Sequence, residues 1–161
     1  MTDRSGELAV VRRAGLGDLL AIGSVLGECG LSSVGLEEGG LYWIAYHGPE
    51  IAGVVGIEAS GQAGLLRSLA VHPSFRNAGL ARRLVSQLLS EIRQLGVDHV
   101  YLFSKDSGAF FERLGWSETS VKAAAQRLSR TSQVQHYERV GWYKNERAFV
   151  RSADSLDHRA L

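Results

Sequence analysis

Cysteine occurs once in this 161-residue sequence, at Cys29, so no disulfide can form within the chain and a cysteine-based zinc site is excluded. Nothing near it looks like an activating partner, so Cys29 reads as a small buried hydrophobe near the end of a helix rather than a nucleophile. An excess of one charge is missing too: 18 basic and 17 acidic side chains leave a formal net charge of +1. That balance excludes a compositional nucleic-acid binder and an acidic solvating tail. No apolar run approaches the roughly 18 residues of a membrane span. The opening stretch MTDRSGELAVVRR has no apolar signal-peptide region. The expectation is a reduced, cytoplasmic location, with neither nucleic acid nor membrane as partner and no metal. Two nucleotide motifs are also absent, the dinucleotide G-x-G-x-x-G with its following acidic residue and the G-K-[ST] of a Walker A loop.

Hydrophobic residues make up 45% of the chain, enough at this length for one well-buried core. A single domain over residues 1–152 is expected, with a frayed tail at 153–161. Leu8–Arg12 reads as an edge strand. A helix follows with Asp18 at its start and Leu19, Leu20, Ile22, Val25 and Leu26 along it. The Gly- and Ser-rich GLSSVGLEEGG reads as a loop of the kind that walls a ligand site. Leu41–Tyr46, Ile51–Glu58 and Leu65–Val71 are strands separated by turns at Gly48-Pro49 and Ser60–Gly64. Leu80, Leu84, Val85, Leu88, Leu89, Ile92 and Leu95 recur at spacings of three and four, which predicts an amphipathic helix over Gly79–Leu95 stopped by Gly96. Val97–Phe103 is another strand, and the strand–helix–strand unit implies a right-handed crossover between parallel strands. Gly108–Leu114 and Val121–Leu128 read as helices and Arg147–Arg151 as a final strand. The fold class is α/β (α+β), antiparallel hairpins first and one parallel crossover later. FERLGW at 111–116 is echoed by YERVGW at 137–142, either by chance or as two similar helix ends.

The turn between the third strand and the long helix, Arg76-Asn77-Ala78-Gly79-Leu80-Ala81, has the chemistry of an anion cradle. Backbone N–H groups at a helix start lack intrahelical partners and point outward. Gly79 removes a side chain where a phosphate would approach, Ala81 is small, and Arg76 adds positive charge. A turn glycine before a helix is also simply a tight connection, so this motif alone leaves the choice open.

Leu69-Ala70-Val71-His72-Pro73, the Arg76–Ala81 turn and the helix after it resemble the acyl-CoA-binding motif of the GNAT acyltransferases. That family's Arg/Gln-x-x-Gly-x-Gly/Ala pattern is met by Arg76, Gly79 and Ala81. The segment from Tyr101 to Trp116, closing in FFERLGW, resembles the family's next motif, and the likeness covers about residues 7–116. It implies a GNAT-like fold, a central mixed but mostly antiparallel sheet with a splayed parallel strand pair, flanked by helices. It also implies acetyl-CoA as cosubstrate. Leu69, Ala70 and Val71 would hold the pantetheine arm through main-chain groups. The amides around Asn77, Ala78, Gly79, Leu80 and Ala81, with Arg76, would hold the pyrophosphate. Phe110 and Phe111 would flank the thiol end. More closely, GLLRSLAVHP, VGLEE and AFFERLGW resemble the arsenic-resistance-associated N-acetyltransferases of this superfamily, which look like small amino-acid N-acetyltransferases. Past Trp116 the likeness fades, because the cysteine-proline motif of that group is replaced by QHYERVGWYKNERAF.

On this reading a small amine, amino-acid-like, attacks the thioester directly in a ternary complex. Glu58 at the end of IAGVVGIE is a candidate proton acceptor through water, or an ordinary strand-end charge. Glu37 and Glu38 are candidates for the acceptor's ammonium, and Arg67 for its carboxylate if it faces the cleft. His72 shapes the turn before Pro73. The family's usual tyrosine proton donor falls at Phe111, which cannot donate, so water or Ser104 would protonate the leaving thiolate. A protein or peptide N-acetyltransferase and a non-catalytic acyl-CoA-binding module are the competing functions. The family's habit of pairing through sheet edges or C-terminal segments makes a homodimer an expected partner state.

Overall fold

Alternation of apolar residues and tight turns folds the first half of the chain into antiparallel strands. The computed structural model describes residues 9–33, 36, 39–76, 79–141 and 146–153. In chain order the elements are β1 (Val10–Arg13), α1 (Leu19–Glu28), β2 (Leu41–His47), β3 (Glu50–Ser60), β4 (Ala63–Val71), α2 (Leu80–Ile92), β5 (His99–Phe103), α3 (Gly108–Arg113), β6 (Ser117–Thr119), α4 (Val121–Arg127), α5 (Ser132–Val140) and β7 (Ala148–Ser152). One seven-stranded sheet runs in the order β1-β2-β3-β4-β5-β7-β6. Only β4 and β5 pair in parallel, and every other pairing is antiparallel. None of the described helices is long and apolar enough to cross a membrane.

The side-chain period of two divides the sheet into two faces. Trp43 and Val55 point to the face covered by α2, which buries Leu80, Leu84, Val85, Leu88 and Ile92. Ile44 and Val54 point to the opposite face, where α1 buries Ile22, Val25 and Leu26. Further along that same face α4 and α5 cover Leu65 and Tyr101 with Ala124, Leu128 and Val134. Leu84 and Leu88 are fully buried, each gaining about 1.5–3 kcal/mol from that burial.

Several boundaries differ from the sequence reading, each for a local reason. Leu20 is 90% exposed, because α1 covers the sheet with only the Ile22, Val25 and Leu26 stripe. Asp18 precedes α1 and accepts from the Gly15 N–H at 2.7 Å rather than capping the helix. α2 ends at Ile92, and a short 3-10 turn carries Leu95 outward to 51% exposure. The β3–β4 hairpin turns over Gly61-Gln62 alone, with Ser60 opposite Ala63, so Glu58 lies inside β3 and not at its end. The short strand β6 and the helix α5 went unread. β6 is only Ser117–Thr119, and α5 buries one residue, Val134, so neither carries an apolar period. Both halves of the FERLGW/YERVGW echo are helix C-termini, closed by Gly115 and Gly141 in left-handed conformations; Trp142 lies outside the described residues. Ala153, assigned to the tail, is buried and its N–H donates to the Asp98 carbonyl at 2.8 Å.

Candidate functional site

β4 and β5 share a hydrogen-bonded ladder only at Ala63–Leu65 with His99–Tyr101. Beyond Leu65 the two strands part, and a cavity of about 530 Å³ fills the wedge between them. A bulge starts the divergence. Gly56 pairs with Arg67 and Val54 with Ala70, so Ser68 and Leu69 together oppose Val55. Ser68 takes φ +59°, the one positive value among the described non-glycine residues. Such a bulge bends its strand and re-aims the side chains around it. Past it, the β5-facing edge of β4 has no strand partner among the described residues, so its main-chain groups line the wedge.

Leu69, Ala70 and Val71, expected along a pantetheine arm, lie on this open stretch and line the cavity. At its outer end is the start of α2. Gly79 caps that helix with φ +73° and no side-chain cap, leaving the first amides to another acceptor. A Cβ at Gly79 would meet nothing within 4 Å, so the glycine is there for its backbone conformation rather than for lack of space. Arg76 and Ala81 line the cavity, and the Arg76 Nε donates to the Val71 carbonyl at 3.1 Å, so that side chain is tethered. Leu80 turns its side chain into the core and offers the site only backbone. Asn77 and Ala78 lie outside the described residues.

At the inner end, Phe110 and Phe111 line the cavity, 5.1 Å apart edge to face, and Phe111 packs on Trp116 at 5.7 Å. Ser104 lines it as well, its hydroxyl oxygen accepting from the Ser107 N–H at 2.9 Å. The wall also includes Cys29 after α1, and Gln133 and Tyr137 on α5. The Gln133 Nε2 donates to the Tyr137 hydroxyl oxygen. The signal for α5 was Thr131, whose side chain caps the helix by accepting from Val134 N–H at 3.3 Å. An i, i+4 polar pair on a capped segment was thus present in the sequence without an apolar stripe to advertise it.

Glu58 and Arg67 form a buried ion pair at 3.2 Å, their side chains 6% and 2% exposed. Glu58 also accepts from Ser132 N–H at 3.0 Å, Ser132 Oγ at 2.5 Å and Gln133 N–H at 3.4 Å. The carboxylate therefore sits on the N-terminus of α5, where the helix dipole favours it. It does not line the cavity. Four donors thus surround Glu58, the expected water-linked base, and tie it to α5 and Arg67. Arg67 does line the cavity, with Nη1 on Glu58 and Nε donating to Ser68 Oγ at 3.1 Å. Beside this pair the Tyr42 hydroxyl is buried without a hydrogen-bond partner among the described residues, and burial pushes its titration up. Glu37 and Glu38 lie outside the described residues. Among the described residues no group of three His, Cys, Asp or Glu side chains could hold a metal ion.

A mostly apolar cleft, an open main-chain edge and a bare helix N-terminus suit a long ligand with a thioester at one end and a diphosphate at the other. Comparison with known proteins agrees. The family model described as an acetyltransferase (GNAT) domain matches residues 38–118, half of the chain. An uncharacterized N-acetyltransferase of Chlorobaculum tepidum is 37% identical over 65 residues, 40% of this chain and 41% of that one. The chain thus matches less than half the length of that curated relative. Among solved structures, N-acetylglutamate synthase from Neisseria gonorrhoeae, complexed with coenzyme A and N-acetyl-glutamate, superposes at TM-score 0.68 and 21% identity. That match covers 90% of this chain and 35% of the other. The ribosomal-protein-S18-alanine N-acetyltransferase of Escherichia coli gives TM-score 0.67 at 16% identity, over 96% and 99% of the two chains. At such identities the structural likeness speaks for the fold.

Proposed function

The chain belongs to the GNAT acetyltransferase family, and we propose that it transfers an acetyl group from acetyl-CoA to the amine of a small, amino-acid-like molecule. The observation that carries this reading is the wedge between β4 and β5, open along one main-chain edge among the described residues and ended by the N-terminus of α2, whose N-cap Gly79 has no side chain to cap it. In this reading Leu69, Ala70 and Val71 hold the pantetheine arm, and the amides from Asn77 to Ala81, with Arg76, hold the pyrophosphate. Phe110 and Phe111 border the thioester. Bound acetyl-CoA supplies an activated acyl carbon, and the protein aligns the amine against it and excludes water. Arg67 is the candidate for the acceptor's carboxylate, with Glu37 and Glu38 for its ammonium.

Fold likeness extends equally to an enzyme named for a free amino acid and one named for a ribosomal protein, so it does not choose the acceptor. A cavity of about 530 Å³ with a buried guanidinium in its wall favours a small carboxylate-bearing amine over a protein chain. Arsenic- or phosphorus-bearing amino-acid analogues fall within that class. A single domain over residues 1–152, a cytoplasmic location and a homodimer belong to the same proposal. The test is an acetyl-CoA turnover screen with mass detection over amino acids, their arsenic and phosphinic analogues, and peptides. Acetylation of a free amino acid or analogue supports the reading. Acetylation of peptides alone overturns the acceptor, and CoA binding without turnover of any amine overturns the enzyme.

A further inference from the structure

Phe111 stands where the family's motif usually has a proton donor, and the cavity holds a different phenol. Tyr137 reaches it from α5, a helix outside the matched family segment. We propose that Tyr137 is the general acid that protonates the departing CoA sulfur, and that Gln133 positions it. This rests on the acetyl-transfer reading above.

Three observations place the pair. Tyr137 and Gln133 line the same cavity as Ser104, Phe110 and Phe111, and Gln133 binds Glu58, whose partner Arg67 lies just past Leu65, where the wedge begins. Gln133 Nε2 donates to the phenol oxygen, so an N–H is already aimed at the atom that turns negative when Tyr137 gives up its proton. Gln133 is itself fixed, because its backbone N–H and the N–H and hydroxyl of Ser132 bind the Glu58 carboxylate, and Thr131 caps the same turn. The buried pair on β3 and β4 thereby sets the position of the phenol one helical turn further on.

Chemistry separates Tyr137 from the serine hydroxyls that line the cavity. Phenols and thiols titrate near each other in water, at about 10 and 8.5, so a phenol can hand a proton to a thiolate at small cost. An aliphatic hydroxyl such as that of Ser104 is a far weaker acid. The step balances within the ternary complex. The amine nitrogen bonds the carbonyl carbon, the carbon–sulfur bond breaks with its electron pair going to sulfur, and sulfur takes the Tyr137 proton. The phenolate then recovers the proton that the new amide nitrogen sheds.

The substitution that tests this is Tyr137→Phe, which keeps the ring and removes the hydroxyl. With an amine acetylated by the unaltered enzyme, kcat should fall about 100-fold, the low end for a general acid, with the KM for acetyl-CoA unchanged. A second readout needs no turnover. In the CoA complex, the ultraviolet absorbance of the thiolate should appear about one pH unit higher in Tyr137→Phe, because a hydrogen bond to the sulfur anion is lost. Arg67, Arg76 and Cys29, the charged and titratable groups sharing the cavity, are the same in both proteins. Gln133→Leu should lower kcat without moving the acetyl-CoA KM, and Tyr137→Phe with Gln133→Leu should be no slower than Tyr137→Phe alone. Equal kcat and equal thiolate titration in Tyr137→Phe, with CoA bound and the unaltered enzyme active, overturn this assignment and leave the acetyl-transfer reading standing. An unaltered enzyme that binds no CoA overturns both.

Discussion

A Glu58→Gln substitution keeps the size of the side chain and removes its charge. Glu58 and Arg67 have side chains 6% and 2% exposed, so the guanidinium would be left as a buried cation without its counter-ion. Removing one partner of a buried pair costs about 3–5 kcal/mol. The glutamine carbonyl can still accept from Ser132, which places the expected loss near the lower figure, about 3 kcal/mol. For a domain of this size each kcal/mol moves the melting temperature by roughly 2–4 °C, so a fall of about 10 °C is expected. Urea and thermal unfolding followed by circular dichroism give both numbers. Pairing Glu58→Gln with Arg67→Met should recover part of the loss, because the buried cation left without its counter-ion is removed as well. A stability loss under about 1 kcal/mol refutes the anchoring role argued for this carboxylate.

Gly79→Val should leave the melting temperature within a few degrees while weakening CoA binding about tenfold by calorimetry. The φ of +73° costs a side chain about 1–2 kcal/mol, and that strain is relieved by moving the amides that would hold the diphosphate; unchanged CoA affinity removes Gly79 from the site. Gly56→Ala should destabilise by about 1–3 kcal/mol in urea, since the new Cβ would lie 2.4 Å from the Tyr42 ring, and a neutral result would show that the ring swings aside. Hydrogen bonds from Arg12 and Arg147 hold the Asp18 and Glu118 carboxyls below their usual range. Both carboxyls are lowered in the folded state. Their contribution is present above about pH 4 and lost as pH falls through the folded values, so Asp18→Asn with Glu118→Gln should flatten the acid limb of a melting-temperature profile. An unchanged limb excludes these two pairs from it.

The donor side of the site was legible because its recognition is written into backbone geometry, and backbone geometry leaves marks in sequence. Gly79 and the apolar period of α2 announce a helix start after a strand, and Pro73 marks where that strand must stop. The acceptor side was not legible for the converse reason. α5 buries only Val134 fully, so no buried stripe marked it. The bulge at Ser68 has no residue signature either, since serine takes φ +59° here only because Gly56 and Ala70 fix the register on either side. Glu58 was misread for want of two residues of strand. With the turn expected at Ser60–Gly64, it read as a rim charge, whereas the tight Gly61-Gln62 turn carries it into the interior.

A nine-residue helix with a single buried side chain is too short to persist by its own propensity. Its position has to come from its N-terminus, where Thr131 caps it and Glu58 takes the amides of Ser132 and Gln133. Glu58 in turn is fixed by Arg67, on the strand that the bulge bends away from β5. The feature that opens the wedge and the group that fixes its far wall are therefore joined through one buried ion pair. Gln133 and Tyr137 inherit their positions from that pair through the N-terminus of α5. A change at Glu58 would therefore reach the cavity by moving α5, so stability and rate should fall together.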